Sequence, residues 1–107
     1  MGFDLTASAL RDLWLEQQGH CFWTGLPIDF DYGQARHPMR PSVDRLNPSE
    51  GYTLENVVWA SNFANRARGD LSPQAFAELM CALGFPSKVD DPRLRGRKHR
   101  QLEQQEK

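Results

Sequence analysis

Residues 41–69 read PSVDRLNPSEGYTLENVVWASNFANRARG, and this stretch decides the fold. It contains two short apolar runs, at 42–46 and 56–59, separated by the segment NPSEG at 47–51. Asn, Pro, Ser and Gly each favour turns for separate stereochemical reasons, so the two runs are expected to pair as strands. Residues 60–68 are predicted to form a helix directly afterwards. The stretch therefore predicts a β-hairpin followed by a helix.

The polar residues of this stretch suit a divalent cation and a phosphate. Asp44 lies within the first apolar run, while Asn65, Arg66 and Arg68 fall on the predicted helix. Carboxylate and amide oxygens are ligands for hard cations such as magnesium. Arginine is suited to phosphate oxygens. The residue types therefore indicate chemistry on a phosphate-containing partner.

The order of these motifs resembles the ββα-metal core of the HNH endonuclease family, in a zinc-free form frequent in phage-type sequences. The matching segments are PSVDRL at 41–46, GYT at 51–53, NV at 56–57, ANR at 64–66 and RG at 68–69. Upstream matches are Trp14, Gln17, Gly19, Cys21 and TGLPI at 24–28. The resemblance covers roughly residues 5–80. It implies an α+β fold in which a β-hairpin and helix are flanked by an N-terminal and a C-terminal helix.

The resemblance also implies a reaction, the hydrolysis of a phosphodiester with one divalent metal. Transferred residue by residue, it makes Asp44 and Asn65 the metal ligands and Asn56 the loop asparagine that steadies the first strand. The family's general-base histidine corresponds to Arg45, which stays protonated and cannot accept a proton from water. Arg45 is therefore expected to hold phosphate. The base would then be either His37 or hydroxide at the metal.

The expected cofactor is one divalent cation, with magnesium first and manganese or nickel as alternatives. The expected partner is nucleic acid, with DNA first, held by arginines: Arg40, Arg45, Arg66 and Arg68. A second hypothesis stays open, in which the same fold binds nucleic acid or a nucleic-acid-processing protein without cleaving, as a phage-encoded inhibitor would. Purely structural alternatives also stay open: Asp44 paired with Arg45 or Arg66, Asn56 as a turn residue, and Arg66 and Arg68 as solvated charges.

Many members of that family hold a structural zinc with two Cys-x-x-Cys pairs. The corresponding positions here are Cys21, Thr24, Ser61 and Ala64. A structural zinc needs four sulfur or nitrogen ligands, which these residues do not supply, so no structural zinc is expected. Packing and hydrogen bonds are expected to join the two loops instead, with aromatic fillers: Phe22, Trp23, Trp59 and Phe63.

Two further helices are predicted around this core. Thr6 is a candidate N-cap for a helix that begins at Ala7, and Gly19 is a natural stop. Ser72 is a candidate N-cap with Pro73 at the first helical position. Apolar residues then recur at i, i+3, i+4 and i+7 and predict a buried face: Phe76, Leu79, Met80 and Leu83.

The chain of 107 residues fits one domain, predicted to span residues 1–86. Its net charge of −1 means that local basic patches, rather than total charge, would attract nucleic acid. Residues 87–107 are predicted to be a mobile, partly basic tail that offers a surface to a protein partner. With no apolar stretch long enough to cross a membrane, no secretory signal and no Cys-x-x-Cys pair, a cytoplasmic protein with free thiols is expected.

Overall fold

The two apolar runs form the predicted antiparallel hairpin. The structure is a computed structural model that describes residues 5–95. In it β1 spans Pro41–Arg45, β2 spans Val57–Ser61, and Asp44 lies opposite Val58. Between the strands, a short 3-10 helix at Leu54–Asn56 leads the chain into β2. The hairpin and the surrounding helices make the described chain an α+β fold.

Helix α2, Asn62–Arg68, follows β2 without a connecting loop. Its N-cap is Ser61, whose hydroxyl accepts a hydrogen bond from the Ala64 amide at 3.0 Å. The predicted start at residue 60 is therefore two residues early. Ala60 and Ser61 still pair with β1, and this tertiary pairing keeps them extended.

Helix α1, Ala7–Glu16, begins as predicted because the Thr6 hydroxyl accepts from the Ala9 amide. It is tied to β2 by side chains rather than by the sheet. The Gln17 amide bonds the backbone N–H and C=O of Trp59, each at 2.9 Å. The Trp59 indole in turn donates to the Leu10 carbonyl. These bonds fix the N-terminal helix against the outer side of the hairpin.

Helix α3, Pro73–Ala82, has the predicted Ser72 cap, but its buried face is shifted. Phe76 and Met80 lie in the core as expected, whereas Leu79 and Leu83 are 41% and 62% exposed. The buried set, Pro73, Phe76, Ala77 and Met80, has the same i, i+3, i+4, i+7 spacing three residues earlier. The prediction was wrong for the two leucines because Leu83 caps the helix end and Leu79 turns away from the core.

The core is centred on Trp23, whose ring is fully buried and meets Phe22 and Phe76 edge to face. The loop that carries Trp23 is joined to β2 by two hydrogen bonds. The Phe22 amide donates to the Trp59 carbonyl at 2.9 Å, and the Ser61 amide donates to Cys21 Sγ at 3.3 Å. Packing and hydrogen bonds thus connect the two loops. Phe63 takes no part as a filler, because it begins α2 on the outer side and is 46% exposed.

Residues 87–95, the first part of the predicted tail, pack against the domain. A 3-10 helix at Pro92–Arg95 buries Leu94 in the core, and Val89 packs beside it. Residues 96–107 lie outside the described residues, so the predicted mobility and partner binding of the tail remain predictions for them. Within residues 5–95, no helix combines the length and the apolar character needed to cross a membrane.

Candidate functional site

An open cleft of about 460 Å³ lies where β1, the loop after it and the end of α2 meet. Its polar lining comes from three parts of the chain: Asp44 and Arg45 on β1, Tyr52 in the loop, and Asn65, Arg68 and Asp70 at α2. The hairpin pairing and the helix that begins at its last residue bring these parts together. This cleft is the candidate site, because it contains both predicted metal ligands.

Asp44 is held in one orientation by the core. Its residue is 7% exposed, and its Oδ2 accepts from the Trp23 indole N–H at 2.9 Å and from Arg68 Nη1 at 3.2 Å. Both contacts fall on the same oxygen. Among residues 5–95, no hydrogen bond engages Oδ1. One carboxylate oxygen therefore serves the fold, while the other is left for the cleft that Asp44 lines.

Arg68 is an interior residue, which differs from its expected contact with nucleic acid. It is 3% exposed and forms a buried ion pair with Asp44. Its guanidinium also donates to three backbone carbonyls, at 2.8 Å to Arg45 and 3.1 Å to Leu71, and also to Leu46. A buried carboxylate needs such a partner, since desolvating an unpaired charge is costly. Arg68 therefore organises the site from inside.

Asn65 lies in the cleft, as the sequence predicted for a helix ligand. It is exposed, and its Nδ2 donates to the Ser42 hydroxyl on β1 at 3.1 Å. In this arrangement the amide nitrogen faces the strand. Among residues 5–95 the amide oxygen accepts no hydrogen bond. The oxygen thus remains as a candidate donor to a cation.

Asp70 is the lining residue that sequence reasoning missed. It follows Gly69, whose φ of 51° lies in the left-handed region, and the Leu71 amide closes the turn onto the Arg68 carbonyl at 3.0 Å. This turn returns Asp70 to the cleft at the end of α2. The glycine after the helix was the available signal, because a left-handed residue at a helix end reverses the chain.

Arg45, which was expected to hold phosphate, lines the cleft. Its Nη1 donates to the carbonyls of Pro48, at 3.2 Å, and Glu50, at 3.5 Å. Its guanidinium sits 4.9 Å from the centre of the Tyr52 ring. Nε and Nη2 donate to no group among residues 5–95. An arginine whose side chain is already ordered and still has free donors can bind an anion with little further loss of conformational entropy.

Asn56 shapes the loop and does not line the cleft. Its buried side chain accepts from the Asn47 amide at 3.0 Å and donates to the carbonyls of Asn47 and Gly51, at 3.1 Å and 2.9 Å. The amide therefore closes the loop that carries Pro48 and Tyr52. This is more than a turn role, because one side chain satisfies three backbone groups across nine residues.

The other predicted residues lie outside the cleft. The His37 ring stacks on Tyr32 at 3.8 Å, and its Nδ1 accepts from the Met39 amide. Arg40 donates to the carbonyls of Phe30 and Tyr32. Arg66 donates to the carbonyls of Asn62 and Arg36. The structure therefore does not bring His37 to the cleft of Asp44, where it was considered as a base. Both arginines bond backbone carbonyls of residues that do not line the cleft.

The donor atoms of the cleft are oxygens. In the part of the chain that the structure describes, no three His, Cys, Asp or Glu side chains come together as a metal-binding group. The cleft offers a mixed set instead, with two carboxylates, Asp44 and Asp70, and the Asn65 amide. Oxygen donors of this kind suit magnesium or manganese better than zinc.

Comparisons with known proteins add no assignment. No protein-family model matches this chain. No curated protein and no solved structure matches it either. What the protein does must therefore be inferred from the residues of the cleft.

Proposed function

We propose that the protein is a metal-dependent endonuclease with an HNH-like ββα-metal core. It hydrolyses phosphodiester bonds in nucleic acid, and DNA is the preferred candidate substrate. The observation that carries the proposal is the convergence of Asp44, Asn65 and Arg45 on one cleft. These are the residues that the motif resemblance assigns to the metal and the phosphate. They come from a strand and a helix separated by the second strand, which is the element order that the resemblance implies.

The residues present fit a hard divalent cation. Asp44, through Oδ1, and the Asn65 carbonyl oxygen would hold it, because both oxygens lack a partner among residues 5–95. When bound, such an ion supplies Lewis-acid stabilisation of charge on the phosphate and the leaving oxygen. Oxygen donors and a small number of carboxylates are the usual protein share of a magnesium site, with water and phosphate completing it.

The chain's own residues do the positioning. Arg45 would bind a non-bridging phosphate oxygen through Nε and Nη2, in the charge-assisted geometry typical of arginine and phosphate. Trp23 and Arg68 hold the Asp44 carboxylate in a single orientation through Oδ2. Asn56 holds the loop that places Tyr52 under the Arg45 guanidinium. Preorganisation of this kind keeps the reacting groups aligned without cost at the moment of reaction.

A second candidate function is binding without cleavage, to nucleic acid or to a nucleic-acid-processing protein. One specific observation favours it: within residues 5–95, no histidine lines the cleft. Arg45 cannot accept a proton, and His37 stacks on Tyr32 away from Asp44. Loss of a general base costs about two to four orders of magnitude in rate. A binding module of the phage-inhibitor type would need no such base.

A cleavage assay tests the proposal. Supercoiled plasmid, single-stranded DNA and RNA are incubated with the protein in magnesium, manganese, nickel or EDTA. We expect metal-dependent nicking that Asp44→Asn and Asn65→Ala abolish, while Gln74→Ala, an exposed amide on α3, leaves it unchanged. No cutting in any metal, from a folded protein that still retards DNA with a steep salt dependence, would reject the endonuclease and support the binding module.

A further inference from the structure

Of the two aspartates that line the cleft, one is paired with an arginine and, among the described residues, the other is not. Asp44 and Asp70 are the acidic residues, and Arg45 and Arg68 are the basic ones. Arg68 pairs with Asp44 at 3.2 Å in the interior, so this pair contributes no net charge. Without Asp70, the charged side chains among the described lining residues would sum to one positive charge, which disfavours a divalent cation. Among residues 5–95, no arginine or lysine forms an ion pair with Asp70.

A second observation independently points to a ligand in the cleft. The Asp44 carboxylate is more than nine-tenths buried, yet its Oδ1 has no partner among residues 5–95. This oxygen belongs to a residue that lines the cleft and meets no donor from the described residues there, so it is placed to be the first ligand of a cation.

Arg68 also couples Asp70 to Asp44. Its Nη1 bonds the Asp44 carboxylate, and its Nε donates to the carbonyl of Leu71, the residue after Asp70. The Leu71 amide closes the same turn from the other side. These two bonds join Leu71, on the C-terminal side of Asp70, to Arg68, which also bonds the Asp44 carboxylate.

We propose that Asp70 is a third oxygen ligand of the divalent cation in this cleft, and that it supplies the negative charge which the Asp44–Arg68 pair cancels. The inference rests on the proposed function for the location of the metal site. It adds a residue outside the motifs that led to that site. The ligand class is a hard divalent cation, for which added carboxylate charge raises affinity.

Manganese titration, monitored by electron paramagnetic resonance, tests this assignment. Free Mn²⁺ gives the signal, and bound Mn²⁺ loses most of it. Asp70→Asn keeps the size of the side chain and removes its charge. Asp90→Asn is the matched control, an exposed aspartate outside the cleft. We expect Asp70→Asn to raise the Kd for Mn²⁺ at least about tenfold and Asp90→Asn to change it less than about twofold. Both variants should unfold at the wild-type urea midpoint, since both side chains are exposed.

The outcomes separate this inference from the endonuclease proposal. Asp70→Asn that binds Mn²⁺ as tightly as the wild type would overturn the inference, as would a wild-type protein that binds no Mn²⁺. Mn²⁺ binding that depends on Asp70, in a protein that never nicks DNA, would support the inference and reject the endonuclease. Metal-dependent nicking with unchanged Mn²⁺ affinity in Asp70→Asn would do the reverse.

Discussion

Arg68→Met is the substitution that most directly tests how the cleft is built. Methionine keeps an unbranched apolar side chain but removes the guanidinium. The change leaves the buried Asp44 carboxylate without its ion-pair partner and removes donors to the carbonyls of Arg45, Leu46 and Leu71. The end of β1 and the turn at Asp70 are then no longer joined through the Arg68 guanidinium.

The expected cost follows from the burial of the pair. Arg68 and Asp44 side chains are 3% and 9% exposed, so solvent screens their interaction weakly. Removing one partner of a buried ion pair costs about 3–5 kcal/mol, because the remaining charge stays desolvated. The free energy of unfolding of a small domain is about 5–15 kcal/mol in total. Arg68→Met should therefore remove a large part of the stability of this protein.

Urea denaturation, monitored by tryptophan fluorescence, measures this loss of unfolding free energy. With a urea dependence of about 2 kcal/mol per molar, the midpoint should fall by about 2 M. Arg66→Met is the matched control, two residues earlier on the same helix, where the exposed arginine donates to the carbonyls of Asn62 and Arg36. It should cost less than about 1 kcal/mol. The double variant Asp44→Asn with Arg68→Met should cost less than the two single costs added together, because neither charge is then left unpaired.

A loss below about 1 kcal/mol for Arg68→Met would refute the reasoning, since surface arginines behave in that way. It would mean that Arg68 is solvated and free to contact phosphate, as its sequence position alone suggested. The charge argument for Asp70 would then lose its basis as well.

Two further predictions concern the loop and the last described segment. Asn56→Ala should lower the free energy of unfolding by about 2–4 kcal/mol in urea, because the buried Asn56 side chain loses three hydrogen bonds to Asn47 and Gly51. An unchanged urea midpoint would contradict its role in closing the loop. For Asp91, burial alone raises the pKa, but hydrogen bonds and charge from Arg93 prevail and hold the pKa below 3.8. A carboxyl whose pKa is lowered by folding stabilises the folded state above about pH 4, and this contribution is lost as the pH falls through the lowered pKa. Asp91→Asn should therefore be less stable than the wild type at neutral pH and nearly equal to it in strong acid. A difference in stability that grows toward acid would contradict the lowered pKa.

Local signals were read correctly from the sequence where the interacting atoms lie a few residues apart. Thr6 and Ser72 cap the helices that follow them, and the turn after residue 46 joins two paired strands. Each of these features depends on a side chain bonding the backbone three residues on, or on backbone angles that particular residues favour. Such interactions need no knowledge of what packs against them.

Faces and partners were read less well. The spacing of apolar residues on α3 was right in period and wrong in register, because period alone does not say which side the core lies on. Phe63 is aromatic and was expected in the core, yet it is exposed. Leu94 lies in a polar segment and is buried. Both outcomes depend on where distant segments cross, which no local pattern records.

The sequence by itself determined the hairpin, the helix that follows it, and the presence of an acid, an amide and several arginines within one stretch. Only the tertiary structure decided which arginine is buried against Asp44, which carboxylate joins it in the cleft, and that His37 stays away. The four cationic side chains expected to hold nucleic acid look alike in the chain. Burial sets Arg68 apart, because an arginine that loses its water must direct its donors to protein groups. Arg45 differs in keeping Nε and Nη2 without a partner among residues 5–95.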